Sequence, residues 1–317
     1  MKLVEEETAG DPMSESKWLR SSLRHLSEKL RHLGHSVSHE TIRRLLHKKK
    51  YSLKVNHKEK ESRSQPLERN AQFEYIASQK QIHLSEKHPV ISVDTKKKEL
   101  IGDFKNAGVS WRREPQRVNV HDFRSEAEGI AVPYGIYELN RNKGYVCVGQ
   151  SADTGEFAVD AIAKWWESQG RASYPEAQEL VILSDSGGSN GCRPRLWKQQ
   201  LQKRLADDFG LKVTVHHYPT GCSKWNPIEH RLFSQISVNW SGKPLSSFDV
   251  MLGYIRGTQT TTGLQVDSTR IEKTYQKGLK ISESEMKGLN IEFHTTCNRW
   301  NYTIQPRKKK KKGEVNS

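Results

Sequence analysis

Three acids in this chain sit where an α/β protein places working carboxylates, at the carboxyl ends of buried strands and in the first turn of a helix. Asp94 closes the run Pro89-Val90-Ile91-Ser92-Val93, and Asp185 closes Leu180-Val181-Ile182-Leu183-Ser184. Glu229 follows Pro227-Ile228, and proline suits a first helical turn. The acids are 91 and 44 residues apart, so only folding can bring them together. If the two strands are neighbours in one sheet, both aspartates reach the same edge, and the helix carrying Glu229 leaves from it. Three close carboxylates stay ionised together only around a cation. An all-oxygen ligand set suits Mg2+ or Mn2+, with water and phosphate completing the octahedron. Two such ions about 4 Å apart would clamp a phosphodiester displacement, one activating a water or a 3′-hydroxyl and the other stabilising the leaving alkoxide. Each acid alone also has a plain structural use: a strand-terminal Asp makes turns, and a first-turn Glu complements the helix dipole.

The elements that must position these acids follow a definite order. A helix through Phe73, Ile76 and Ala77 precedes the strand ending at Asp94. Residues 130–139 and 144–150 read as two strands joined by Asn140-Arg141-Asn142-Lys143, and Phe157, Ala161, Ile162 and Trp165 mark a helix. After the strand ending at Asp185 come a helix over 196–209, a strand over 211–218, the turn Pro219-Thr220-Gly221 and the helix that starts near Pro227. A meander followed by alternating helices and strands predicts an α/β ribonuclease H-like core, a mixed sheet flanked by helices. Ser186-Gly187-Gly188-Ser189-Asn190-Gly191 is either a strand-to-helix turn or a loop whose amides approach a phosphate. His216 and His217 read as core or hydrogen-bonded histidines, and Trp225-Asn226 as a helix cap or a nucleotide contact. Asp153 lies in an expected loop, where replacement by Asn should change little.

Charge locates a second module. The chain of 317 residues carries a formal net charge of +15, of which +10 falls between Lys17 and Ser64 and +5 between Pro306 and Ser317. A neutral body with basic ends points to a polyanion-binding module joined to something else. Leu19, Leu23, Leu26, Leu30 and Leu33 form one apolar face of a helix starting near Trp18 and ended by Gly34. Ser38 caps a second helix whose Ile42, Leu45 and Leu46 face the first, leaving Arg43, Arg44, His47, Lys48 and Lys49 outside as DNA-binding residues. Tyr51-Ser52-Leu53-Lys54-Val55 alternates like a short strand, completing a winged helix-turn-helix. The expected organisation is a flexible leader at 1–16, this all-α/winged domain at 17–56 and a linker at 57–70. The α/β core with a C-terminal helical extension then occupies 71–305, and a basic disordered tail 306–317. No run of about eighteen apolar residues could span a membrane, and the N-terminus has no signal-peptide core. The four cysteines are scattered without a CxxC pair, as in a cytosolic protein with reduced thiols.

Three stretches carry a family resemblance. Ile91-Ser92-Val93-Asp94-Thr95-Lys96-Lys97-Lys98-Glu99, the Ser186–Gly191 segment and Ser223-Lys224-Trp225-Asn226-Pro227-Ile228-Glu229-His230-Arg231-Leu232-Phe233-Ser234 resemble transposases of the ISAzo13 insertion-sequence family. Shorter matches include Val120-His121-Asp122-Phe123, Phe157-Ala158-Val159 and Trp300-Asn301-Tyr302-Thr303-Ile304, so the resemblance spans about residues 10–306. Asn226-Pro227-Ile228-Glu229 is also similar to the glutamate motif of the wider IS630 and Tc1/mariner group. The resemblance implies a DDE transposase with Asp94, Asp185 and Glu229 as catalytic and metal-binding acids and two Mg2+ or Mn2+ ions. Its partners would be double-stranded DNA, at transposon ends and target, and further copies of itself on that DNA. No membrane and no small-molecule substrate enter this reading, and the setting is the cytoplasm, at the nucleoid. In the family a further helix-turn-helix region precedes the stretch matching Gly10–Ser14, so the expectation includes a truncated reading frame or relic that only binds DNA. A ribonuclease H-like nuclease that only hydrolyses is the other alternative.

Overall fold

The computed structural model describes residues 8–10, 17–19, 21–53 and 66–308, which fall in two units, one within 1–60 and one within 61–317. In the first unit β1 (Thr8–Gly10) pairs antiparallel with β2 (Lys17–Leu19), Ala9 opposite Trp18. The leader expected at 1–16 therefore holds a strand, and the residues around Trp18 are extended rather than helical. The helix α1 (Leu23–His32) starts later because Ser22 caps it, its hydroxyl accepting from the His25 N–H. Gly34, at φ 83°, ends it. Ser38 caps α2 (His39–Lys48) by accepting from the Thr41 N–H. Leu26 and Ile42 are buried, but Leu33 and Leu45 are 59% and 54% exposed. Two ten-residue helices bury a narrower stripe than the leucine spacing suggests, and Leu33 already lies past the last helical residue. Tyr51–Leu53 have no regular structure, so the start of the expected wing strand is not formed; Lys54 and Val55 lie outside the described residues.

The second unit opens with α3 (Pro66–Ser85), which takes up the last five residues of the expected linker. Pro66 stands at the first helical position, where its missing N–H costs nothing. There follow β3 (Val90–Thr95), β4 (Glu99–Ile101), β5 (Gly129–Glu138), β6 (Lys143–Gly149), α4 (Gly155–Trp165) and α5 (Arg171–Ser173). Next come β7 (Glu179–Asp185), α6 (Arg195–Gln200), β8 (Lys212–Tyr218), α7 (Ser234–Asn239) and α8 (Phe248–Arg256). The chain closes with β9 (Gln265–Ile271), α9 (Glu283–Lys287), β10 (Ile291–Phe293) and β11 (Asn301–Ile304). Wider π-helical turns continue α4 through Trp166–Gly170 and α6 through Leu201–Asp207, and lead into α7 over Glu229–Phe233.

One mixed sheet results, in the order β10-β11-β8-β7-β3-β5-β6-β9, with β4 paired to β5. The parallel centre is β3-β7-β8; β5 runs antiparallel to β3 and β6. Central strands are apolar on both faces because helices cover both. Ile91, Val93, Leu180, Ile182, Val213 and Val215 face α4 and α6, with Trp165 and Trp197 filling that layer. On the other face Val90, Val181 and Leu183 meet Ile76 of α3, while Val146 and Val148 meet Ile236, Met251 and Ile255. The C-terminal extension is only partly the expected helical one: besides α8 and α9 it holds β9, β10 and β11, which widen the sheet at both edges. The basic tail begins docked rather than loose, since the Arg307 Nε donates to Asp207 at 3.0 Å. All four cysteines are free, and among the described residues no helix is long and apolar enough to cross a membrane.

Candidate active site

The sheet brings the two aspartates side by side. β3 and β7 are hydrogen-bonded parallel neighbours with Val93 opposite Ser184, so Asp94 and Asp185 come one step further along, at the carboxyl edge. Glu229 enters from the π-helical turn above the sheet. How close that turn sits is set by Gly135, which lies opposite Asp94 on β5. A Cβ there would clash with the Phe233 ring and come within 2.9 Å of Ile228 Cδ1. Only a residue without a side chain lets this helix lie flat beside Asp94.

Asn226 ties the three supports together. Its amide Nδ2 donates to the Asp185 carboxylate at 3.2 Å and to the Val93 carbonyl at 3.3 Å. Its Oδ1 accepts from the Ser92 hydroxyl, which in turn accepts from the Ile228 N–H at 3.1 Å. One buried side chain thus clamps β3, β7 and the helix start. The sequence offered a helix cap or a nucleotide contact here; the geometry is that of a three-way spacer. The strand end at Asp185 is fixed from behind by His217, whose Nδ1 bonds the Asp185 carbonyl at 2.9 Å while its Nε2 faces the Tyr302 hydroxyl at 3.2 Å. Trp197 donates to that hydroxyl at 2.8 Å, which leaves it free to donate to Nε2, so His217 works as a neutral Nδ1–H ring. Burial holds its pKa down at about 3 and that of His216 at about 4, as expected for core histidines.

Burial, then the charge of Asp185, pushes the Asp94 carboxyl up to about 8, against a hydrogen bond from the Thr95 N–H at 2.8 Å. Burial pushes Asp185 up to about 6, opposed by the Asn226 bond. Glu229 is also raised by burial, with His230 and Lys96 pulling the other way. Asp153 does lie in a loop, but beside Asp94, so it is no neutral control. It accepts from the Thr95 hydroxyl at 3.2 Å, and its charge adds to the load on Asp94. Next to both, the Tyr134 hydroxyl is buried without a hydrogen-bond partner among the described residues. The Ser186–Gly191 segment folds as a compact turn, with the Cys192 N–H donating to the Ser186 carbonyl at 3.2 Å and Asn190 Nδ2 to Val93 at 3.4 Å. A groove beside Glu229 is lined by Lys96, Lys97, Lys224 and His230, with the exposed Trp225 ring under Lys224 Nζ at 5.5 Å. Charge counting along the sequence missed these lysines because the body as a whole is neutral. On α2 and its C-cap in the other unit, Arg43, Arg44, His47, Lys48 and Lys49 are all exposed, Arg43 paired with Glu40 at 2.7 Å.

Residues 1–306 match the family described as the Rhodopirellula transposase DDE domain. No curated protein sequence matches the chain. Solved structures of the Mos1 transposase are similar. The paired-end complex with the left transposon end has a TM-score of 0.45 and 12% identity, covering 74% of this chain and 65% of that one. The Mos1 strand transfer complex has a TM-score of 0.45 and 13% identity, covering 74% and 64%. The mariner Mos1 paired-end complex with Mg has a TM-score of 0.42 and 13% identity, covering 74% and 65%. This chain spans under two thirds of the length of those Mos1 chains. With a family match over nearly all of its length, the chain belongs to the transposase DDE domain family.

Proposed function

We propose that this protein is a DDE-type polynucleotidyl transferase that frees the 3′-end of an insertion sequence and joins it to target DNA. What supports the proposal is that Asp94 and Asp185 end neighbouring strands and that the charge of Glu229 acts on both, in a chain of the transposase DDE domain family. The central order β6-β5-β3-β7-β8, with only β5 reversed, supports a ribonuclease H-like core. The donor set fits Mg2+ or Mn2+: the acids are short of positive charge, and burial with mutual repulsion keeps two of them partly protonated. Two ions held by these three residues would activate the attacking hydroxyl and stabilise the leaving oxygen. The protein itself supplies placement. Asn226 and His217 hold the Asp185 strand end, and Gly135 sets the depth of Glu229. Lys96, Lys97 and Lys224 offer phosphate contacts along the groove, and Trp225 a face for an unpaired base.

In this reading the 17–56 unit binds duplex DNA through Arg43, Arg44, His47, Lys48 and Lys49. A homo-oligomer assembles on the two ends, in the cytoplasm. The test is incubation of a labelled transposon-end duplex and a target plasmid with Mg2+ or Mn2+, resolving cut from joined products. Asp94→Asn, Asp185→Asn and Glu229→Gln should each lower both products by several orders of magnitude, while Asp249→Asn, an exposed acid on α8, leaves them unchanged. Cut product without joined product would reduce the protein to a nuclease. Wild-type activity in any triad variant would remove that residue from the site.

A further inference from the structure

A second group of ligating side chains lies at the opposite end of the sheet. Glu179 is the first residue of β7 and Asp185 the last, so the two sites stand about 20 Å apart at strand rise. His83 comes from the last turn of α3, and His88 from the connection that follows it. Lys87, with a left-handed φ of 59°, reverses the chain and turns the second imidazole back on the first. The two Nδ1 atoms are 3.1 Å apart, and one ligand atom from each of His83, His88 and Glu179 lies within 4.8 Å of the others. His83 and Glu179 are each only 8% exposed.

We propose that His83, His88 and Glu179 bind a divalent transition-metal ion of the zinc class. Bonds of about 2.0–2.1 Å at tetrahedral angles put two ligating nitrogens about 3.3–3.4 Å apart, close to the spacing already present. Without an ion, the imidazoles meet favourably only when one Nδ1 carries a proton and donates it to the other. Two imidazoles with one carboxylate select zinc-like ions over Mg2+. The carboxylate is held by outer partners: the Thr214 hydroxyl donates to Glu179 Oε1 at 2.8 Å and Lys212 Nζ to Oε2 at 3.2 Å. Lys212 is nearly half exposed and can swing to solvent when an ion takes over its charge. Glu86 reaches in from the solvent side, its Oε2 3.3 Å from His88 Nδ1 and 4.0 Å from His83 Nδ1. It completes the set or leaves the fourth place to water. Such an ion would staple the end of α3 to the sheet. It is independent of the acid edge and of any strand chemistry there.

The experiment uses the full chain carrying Asp94→Asn, Asp185→Asn and Glu229→Gln together, stripped with chelator and titrated with Co2+ by visible absorption. The expected result is one ion per chain with the intense bands of a four-coordinate site, displaced by Zn2+ and untouched by millimolar Mg2+. Adding His88→Gln should weaken binding by more than about 100-fold, beyond what loss of an outer partner costs. Glu179→Gln, which keeps an acceptor for Thr214, should do the same. Absence of saturable Co2+ binding, or undiminished binding in both variants, would overturn the proposal.

Discussion

Asp94→Asn should stabilise the metal-free protein, and by an amount that depends on pH. In the folded chain the carboxyl stays protonated up to about 8, whereas its ordinary value is 3.8. The folded state therefore binds more protons than the unfolded one between about pH 4 and 8, and stability falls as pH rises through that window. At pH 7 the gap spans about 3 units, or about 4 kcal/mol at 1.4 kcal/mol per unit. Asparagine has no charge to bury, and its Oδ1 can still accept from the Thr95 N–H. The assay is urea denaturation of chelator-treated wild type and variant from pH 4 to pH 8. The variant should match wild type near pH 4 and exceed it increasingly, by up to about 4 kcal/mol near neutrality. Adding Mn2+ should narrow the difference by stabilising wild type, by about 2.7 kcal/mol at one hundred times the dissociation constant. A variant less stable than wild type at pH 8, or a gain of equal size at every pH, would refute the idea that an ionised Asp94 is what the empty fold resists.

Three further outcomes follow from other residues. In the Asp94→Asn, Asp185→Asn background, stability should fall as pH drops from about 6.5, because His216 and His217 refuse protons that the unfolded chain accepts; each contributes about 1.4 kcal/mol per pH unit down to about 4 and about 3, and a flat profile between pH 6.5 and 5 in chemical denaturation would contradict this. Replacing Arg44, Lys48 and Lys49 with alanine should make the log–log salt slope of duplex binding shallower by about 0.9 per lost phosphate contact; fluorescence anisotropy at several salt concentrations reads it, and an unchanged slope moves the binding face elsewhere. Gly135→Ala should cost about 1–3 kcal/mol by overpacking and lower strand cleavage by about tenfold or more, since small misplacements of catalytic groups are expensive; a variant that melts lower but cuts at the wild-type rate would separate Gly135 from the placement of Glu229.

What could be read from the residues is what burial writes locally. β3 and β7 are continuous apolar runs because both faces are covered, so their ends, and hence Asp94 and Asp185, stand out. β9, Gln265-Val-Asp-Ser-Thr-Arg-Ile, is an edge strand with mostly polar residues, and β11 has four residues; neither carries enough pattern to announce a strand, so a helical C-terminus was expected instead. Leucine periodicity overstated the inner face of α2, since a helix ten residues long covers little of its neighbour. The role of Asn226 and the closeness of Asp153 to Asp94 depend on partners tens of residues away, and no local pattern encodes them. His83, His88 and Glu179 escaped for the same reason.

The clamp made by Asn226 has a consequence for the order of folding. Its bonds reach 133 residues back to Val93, 134 to Ser92 and 41 to Asp185. Contacts across such separations pay their loop-closure entropy before any reward arrives, so they form late. A nascent or partly folded chain can hold β3 with β5 and β6, a local meander, while its three acids are still scattered. In the proposed reading, the three acids come into one site only with this last long-range closure, so the site and the complete sheet are formed together.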